Sequence, residues 1–141
     1  MIPKIFTACA SLAFALPAFA EGDAAAGEKE FRKCKACHMI KSDDETIVRG
    51  GRTGPNLYGV PGRTAGSVED ARYSDLMTAA GEKGLEWDEE SFVGYVQDPT
   101  GWLKEYTGES GRGTMTFRVR DEQDAKDLWA YLVSVSPDAD G

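Results

Sequence analysis

The chain has 141 residues, with 24 acidic against 16 basic side chains and a formal net charge of −8 at pH 7. That length makes one domain, and the acidic balance argues against nucleic acid as a partner. With 3 cysteines and 1 histidine, the chain also lacks the paired clusters that supply the four ligands of structural zinc.

Residues 1–20 read as an export signal. Lys4 supplies the positive start, Ile5 to Leu16 is an apolar run too short to span a bilayer, and Ala18-Phe19-Ala20 is a small-x-small cleavage pattern. The expected mature domain is 21–141, beginning at Glu21, and Cys9 departs with the signal. Too little apolar sequence precedes Cys9 for a lipid anchor, so the mature chain is expected to be free of the membrane.

Asp23 is placed to cap a first helix running from Ala24 to Cys34. Gly27 inside it costs about 1 kcal/mol against alanine, which points to close approach of another helix. Phe31, four residues on, shares its face. The helix delivers Cys34-Lys35-Ala36-Cys37-His38, a C-x-x-C-H run, the signature of covalent c-type haem attachment. Two thiols three positions apart lie on one side of a helical turn and can both add to the vinyl groups of one porphyrin. The next residue, His38, is carried under the ring as an iron ligand. A thioredoxin-like redox pair would follow a strand in a βαβ pattern, and this sequence has none.

Ser42 to Gly54 is charged and glycine-rich and reads as a surface loop. Thr53-Gly54-Pro55-Asn56-Leu57-Tyr58-Gly59 and Val60-Pro61-Gly62-Arg63-Thr64-Ala65-Gly66 follow, dense enough in glycine and proline to fold by turns. Peptide carbonyls of such a loop can accept the free imidazole N–H of an axial histidine and orient it. Tyr73 to Ala80 reads as a short helix ended at Gly81. Asp88 opens another with Phe92, Tyr95 and Val96 on one face, stopped at Asp98-Pro99. Pro99 starts a third containing Trp102 and Leu103. Gly108 to Gly113 is a flexible approach to Thr114-Met115-Thr116-Phe117. Asp121 caps a final helix with Ala125, Leu128, Trp129, Leu132 and Val135 at helical spacing, and a polar tail ends the chain. No strand alternation of useful length occurs. The expected fold class is all-α, with helices and turn-rich loops wrapped around a single haem.

With the histidine spent, the sixth iron ligand is methionine, lysine or nothing. Met39 follows His38 directly and cannot reach the opposite face of the ring. Met77 falls inside an expected helix, where core filling is the plainer role. Met115 lies in an irregular loop far along the chain, able to wrap to the distal side and present a thioether. His38 and Met115 are therefore the expected metal ligands.

These residues resemble the class I cytochromes c, and among them the cytochrome c2 and c550 group of photosynthetic and denitrifying proteobacteria. The resemblance spans essentially the whole mature chain. Gly27 and Phe31 match the first-helix contact of the family, Leu128 and Tyr131 its partner helix, and Thr53 to Leu57 its TGPNL loop. The resemblance implies that the Pro55 carbonyl accepts from His38. It implies that Arg63, Tyr73 and Trp87 hold a haem propionate, and that Tyr95 lies beside the methionine sulfur. Pro99 and Phe117 fall at the expected offsets. Insertions relative to the short mitochondrial form lie between His38 and Thr53, Tyr73 and Trp87, and Pro99 and Met115. Gly113 replaces a threonine of that form, so no role is carried over to it.

The implied function is that of a soluble periplasmic one-electron carrier with Fe(II)/Fe(III) haem c and no catalytic turnover, a monomer. It would take electrons from a quinol-oxidising cytochrome bc1-type complex. It would deliver them to a photosynthetic reaction centre, a cytochrome c oxidase or a nitrogen-oxide reductase. The alternatives are a haem enzyme or ligand sensor with a labile sixth ligand, and a permanent redox subunit of a larger complex. Lys33 and Lys35 beside the first haem cysteine, Arg112, Arg118 and Arg120 around Met115, and Lys104 on the preceding segment are expected to form a basic docking ring. Acidic residues gather elsewhere, at Asp43 to Glu45, Glu69 and Asp70, Asp88 to Glu90, and Asp138 and Asp140.

Overall fold

The computed structural model describes residues 22–137. The expected signal segment with Cys9, the expected cleavage point before Glu21, and Asp138 and Asp140 of the tail lie outside the described residues. Five α-helices carry the fold: α1 (Ala24–Glu30), α2 (Asp75–Glu82), α3 (Glu89–Gln97), α4 (Pro99–Thr107) and α5 (Glu122–Val135). None is long and apolar enough to cross a membrane.

The first and last helices pack against each other, and their residues explain why. Asp23 caps α1 by accepting from the Ala25 and Ala26 amides, and Asp121 caps α5 by accepting from Asp124. A Cβ at Gly27 would overlap the Asp127 carbonyl, and one at Gly22 the Lys126 carbonyl, so the two glycines let α1 settle on the backbone of α5. Phe31 and Tyr131 lock the crossing with ring centroids 5.8 Å apart. Asp127 is only 7% exposed, and its carboxylate accepts from the Asp23 amide at 2.8 Å and from Gln123 Nε2 at 3.0 Å. A buried carboxylate is tolerable only with such donors.

The expected continuous helix from Ala24 to Cys34 is divided. It is α-helical to Glu30 and tightens into a 3-10 turn over Phe31–Lys33, a common way for a helix end to satisfy its last carbonyls. The Cys34 carbonyl then accepts from both Cys37 (3.2 Å) and His38 (2.9 Å), making the motif its own single turn.

Two further expectations are corrected. The segment read as surface loop, Ser42 to Gly54, contains β2 (Thr46–Val48), which pairs antiparallel with β1 (Ile40–Lys41) just before it, with Ile40 opposite Val48 and Lys41 opposite Thr46. Ser42 closes its turn by exchanging bonds with Glu45. Strands of two and three residues are too short to show a period-2 pattern. Helix α2 begins later than expected and runs through Gly81. Ser74 is its cap, accepting from Met77 at 3.1 Å. Gly81 lies in the last turn because a Cβ there would overlap the Ala65 carbonyl, and Gly84, at φ 97°, makes the exit instead.

The other helices follow their capping residues. Asp88 and Ser91 form a reciprocal capping box at α3. Pro99 opens α4, and Gly108 in the left-handed region closes it. Phe31, Ile40, Leu76, Leu103 and Leu132, drawn from four helical segments and the hairpin, are fully buried.

Gly27→Val should lower stability by about 3 kcal/mol, because the added methyls meet α5 backbone that cannot yield. A urea midpoint unchanged from wild type would show that α1 does not rest on α5 through this glycine.

Candidate functional site

The motif turn is gripped from outside by a glycine-rich loop. The Gly51 amide donates to the Lys35 carbonyl at 2.9 Å and the Gly54 amide to the Cys37 carbonyl at 2.8 Å. A Cβ at Gly50 would overlap the His38 carbonyl, one at Gly51 the Ala36 carbonyl, and one at Gly54 the His38 ring itself. Side chains are excluded at these positions so that the loop can lie flat on the motif.

Pro55 supplies the next contact. Its carbonyl lies 2.8 Å from His38 Nδ1. A carbonyl can only accept, so Nδ1 carries the proton and Nε2 keeps its lone pair, the tautomer a metal ligand requires. Burial pushes the His38 pKa down; the Pro55 bond opposes this, and Arg63 adds to the lowering. The imidazole is therefore held neutral. Burial, followed by the nearby Glu30 carboxylate, pushes the Cys34 thiol up to about 11, so Cys34 is a thiol rather than a metal-binding thiolate. Cys34 and Cys37 are not joined in a disulfide, and among the described residues no group of three or more His, Cys, Asp or Glu side chains could hold a metal ion.

His38, Cys34 and Cys37 open onto a cavity of about 410 Å³. Its apolar wall includes Phe31, Leu57, Val60, Phe92, Val96 and Leu128, and Met115 and Phe117 lie on it. Arg63, Tyr73, Trp87 and Tyr95 are all on the same wall. Arg63 donates through both terminal nitrogens to the Asn56 carbonyl at 2.9 Å. Burial pulls its guanidinium below the ordinary value, while Tyr73 opposes the shift. The Tyr73 hydroxyl accepts from the Val68 amide at 3.1 Å. Burial pushes the Tyr95 phenol up to about 12. Trp87 is set beside Arg63 by backbone bonds to Gly62 and Arg63 of 2.8 and 2.9 Å. Asn56 fixes the loop below: its side chain accepts from the Lys41 amide at 3.0 Å and donates to the Lys41 carbonyl at 2.7 Å.

Met115 sits on a segment tied down at both ends. The Gly113 amide donates to Thr100 Oγ1 at 3.0 Å, and the Val119 amide to the Val96 carbonyl at 2.8 Å. Thr100 was not singled out by sequence; only its place in the first turn of the helix that precedes the loop could have marked it. Met77, read as core filler, also faces the cavity, together with Thr64, Arg72 and Ser74, and these three polar residues were missed. They carry no motif and are brought in by the turns of the 53–66 loop and the start of α2.

The expected basic ring assembles only in part. Lys33, Arg118 and Arg120 meet beside Cys34 on a second cavity of about 240 Å³, but Glu30, Asp121 and Asp124 line it too. Lys33 pairs with Glu30 at 3.0 Å and Arg118 with Asp98 at 3.2 Å. Lys35, Lys104 and Arg112 are exposed and line neither cavity. Phe117, 46% exposed, borders both.

The donor set fits a haem: two thiols and a neutral imidazole on one wall, an apolar interior, and guanidinium, hydroxyl and indole groups able to meet carboxylates. Known proteins agree. The cytochrome c2 of Rhodovulum adriaticum is 58% identical over 117 residues, covering 81% of this chain and 93% of the relative. The cytochrome c-550 of Paracoccus denitrificans is 48% identical over 143 residues, covering 98% and 91%. Among solved structures, the cytochrome c2 from Rhodobacter sphaeroides superposes with a TM-score of 0.79 at 54% identity, covering 82% of this chain and 97% of that one. The sequence model of the family named Cytochrome c matches residues 24–136, so this chain belongs to the cytochrome c family, and its cofactor is one covalently bound haem c.

Proposed function

We propose that the mature chain, residues 21–141 released by cleavage after Ala20, is a soluble periplasmic one-electron carrier. The observation that carries this reading is His38. Its Nδ1–H is committed to the Pro55 carbonyl, and its Nε2 is left for iron in a cavity shared by both motif thiols and Met115. When bound, the haem supplies a reversible Fe(III)/Fe(II) couple.

The chain's own residues do the rest. Cys34 and Cys37 would anchor the group by thioether bonds, and His38 and Met115 would hold its iron. Arg63, Tyr73 and Trp87 orient a propionate, and Tyr95 stands by the sulfur of Met115. The apolar wall excludes water and disfavours the added charge of the oxidised form. With His38 and Met115 both given to the iron, no site would be left open to a substrate, which favours a carrier over an enzyme. We place it, as a monomer, between a quinol-oxidising cytochrome bc1-type complex and a terminal acceptor, which is a photosynthetic reaction centre, a cytochrome c oxidase or a nitrogen-oxide reductase. Met115 is preferred over Met77 because its segment is anchored at Thr100 and Val96. Met77 lies one turn from the α2 cap among polar wall residues.

Extraction of the holoprotein with acidified acetone should leave the haem on the chain; haem in the organic phase would exclude thioethers to Cys34 and Cys37. Met115→Ala should abolish the sulfur-to-iron charge-transfer band of the oxidised protein and lower its potential, whereas Met77→Ala should leave the band in place. The reverse pattern would reassign the ligand.

Docking is expected to use the basic groups near Cys34 and Met115, because association responds to the local field rather than to net charge. Exposed charges are screened over about 8 Å at physiological ionic strength, so the second-order oxidation rate should fall as salt rises. Lys35→Glu should slow it strongly. Arg118→Glu should slow it less, since Arg118 is shared with Asp98, and Glu89→Lys on α3 should change little. A rate independent of salt would remove these residues from the docking face.

A further inference from the structure

At Tyr73 one hydrogen bond decides the direction of another. The hydroxyl accepts from the Val68 amide at 3.1 Å, and among the described residues no group accepts the hydroxyl's own proton. A phenolic O–H lies near the plane of its ring, because an oxygen lone pair is conjugated with it, so it has two favoured directions. An N–H that donates to the oxygen occupies one of them and repels a proton placed there. Tyr73 lines the large cavity, whereas Val68 does not. The amide therefore comes from the outer side, and the hydroxyl proton is left on the side of the cavity. Arg63, on the same wall, has five N–H donors, and those not shared with the Asn56 carbonyl are free for the same acceptor.

The Val68 amide is itself held in place. The Ser67 hydroxyl donates to the Thr64 carbonyl at 2.6 Å, and the Ala71 amide to the Val68 carbonyl at 3.2 Å, so the chain from Thr64 to Tyr73 closes on itself. Gly66, at φ 68°, turns the chain into this loop. A Cβ at Gly66 would lie 3.3 Å from the Met77 carbonyl, so the turn rests on α2. Just ahead, the Ala65 amide donates to the Leu85 carbonyl at 2.8 Å; just behind, Ser74 caps α2. Tyr73 lies on irregular backbone, yet its hydroxyl is aimed by neighbours fixed on both sides. The part Val68 plays is that of its backbone N–H, which any residue but proline would supply.

We propose that the Val68 backbone amide is a positioning group for the cofactor: it holds the Tyr73 hydroxyl as a hydrogen-bond donor toward a haem propionate and thereby raises the potential of the iron. The proposal rests on the reading of Arg63, Tyr73 and Trp87 as propionate partners. A carboxylate near the iron stabilises the more positive, oxidised form, and a donor that draws off part of its charge weakens that effect. Without the Val68 N–H, both directions are open to the hydroxyl proton, and the donor is lost for part of the time.

The test is voltammetry of the holoprotein at neutral pH. Tyr73→Phe should lower the potential. Val68→Pro, which has no backbone N–H, should lower it in the same direction, and Val68→Ala, which keeps the amide, should match wild type. Adding Val68→Pro to Tyr73→Phe should give no further shift, because no hydroxyl is left to turn. A shift as large in the Tyr73→Phe protein as in wild type would mean that proline merely disturbs the loop, and would overturn the proposal. Hydrogen exchange at the Val68 amide gives a reading that needs no proline. Exchange should quicken several-fold in Tyr73→Phe, and equal rates in the two proteins would also overturn the proposal. An unchanged potential in Tyr73→Phe would remove the propionate reading and this inference with it. A lowered potential in Tyr73→Phe, with Val68→Pro at the wild-type value, would remove the inference and leave that reading standing.

Discussion

Three groups that must address one cofactor, two thiols and an imidazole, are packed into five consecutive residues, and a turn that short has no stability of its own. Isolated helical turns are unfavourable because several dihedrals are fixed for one hydrogen bond. Two sets of contacts hold that turn still. From one side, α1 is seated on α5 through Gly22 and Gly27, with Asp127 bonded to the chain entering α1. From the other, Gly50, Gly51 and Gly54 bring backbone against the motif, and the Pro55 carbonyl accepts the imidazole N–H. The carbonyl of Pro55 thus determines not only where the ring points but which nitrogen is available.

The Met115 segment, elsewhere on the cavity lining, is held with the same economy of means. Thr100 and Val96 hold the ends of the segment bearing Met115, so a thioether on an irregular stretch is positioned by two regular helices. Gly113 donates its amide to a hydroxyl on α4 instead of offering a hydroxyl of its own.

Charge is arranged less simply than a basic ring around an exposed edge. Lys33, Arg118 and Arg120 do converge beside Cys34, but with Glu30, Asp121 and Asp124 among them. Pairing of Lys33 and Arg118 with nearby carboxylates orients these side chains. Exposed pairs of this kind add little to stability, at most about 1 kcal/mol each.

What the sequence by itself determined follows from features that act over a few residues. The C-x-x-C-H spacing names the cofactor because thioether and axial chemistry are local. The caps at Asp23, Asp88 and Asp121 are legible because each satisfies amides within its own turn, and Pro99 because its fixed φ suits the first position of a helix. Tertiary structure decided what depends on distant partners. Gly81 looks like a helix end and is instead a contact with Ala65. The hairpin at Ile40 to Val48 is too short to carry a period and exists because its strands pair. Met77, Arg72 and Ser74 reach the cavity only because the turns before α2 deliver them there. Which cations share carboxylates, and which aromatic rings touch, depends on the packing of α2, α3 and α4. A sequence pattern reports periodicity and capping within one element; it does not report the position of one element against another.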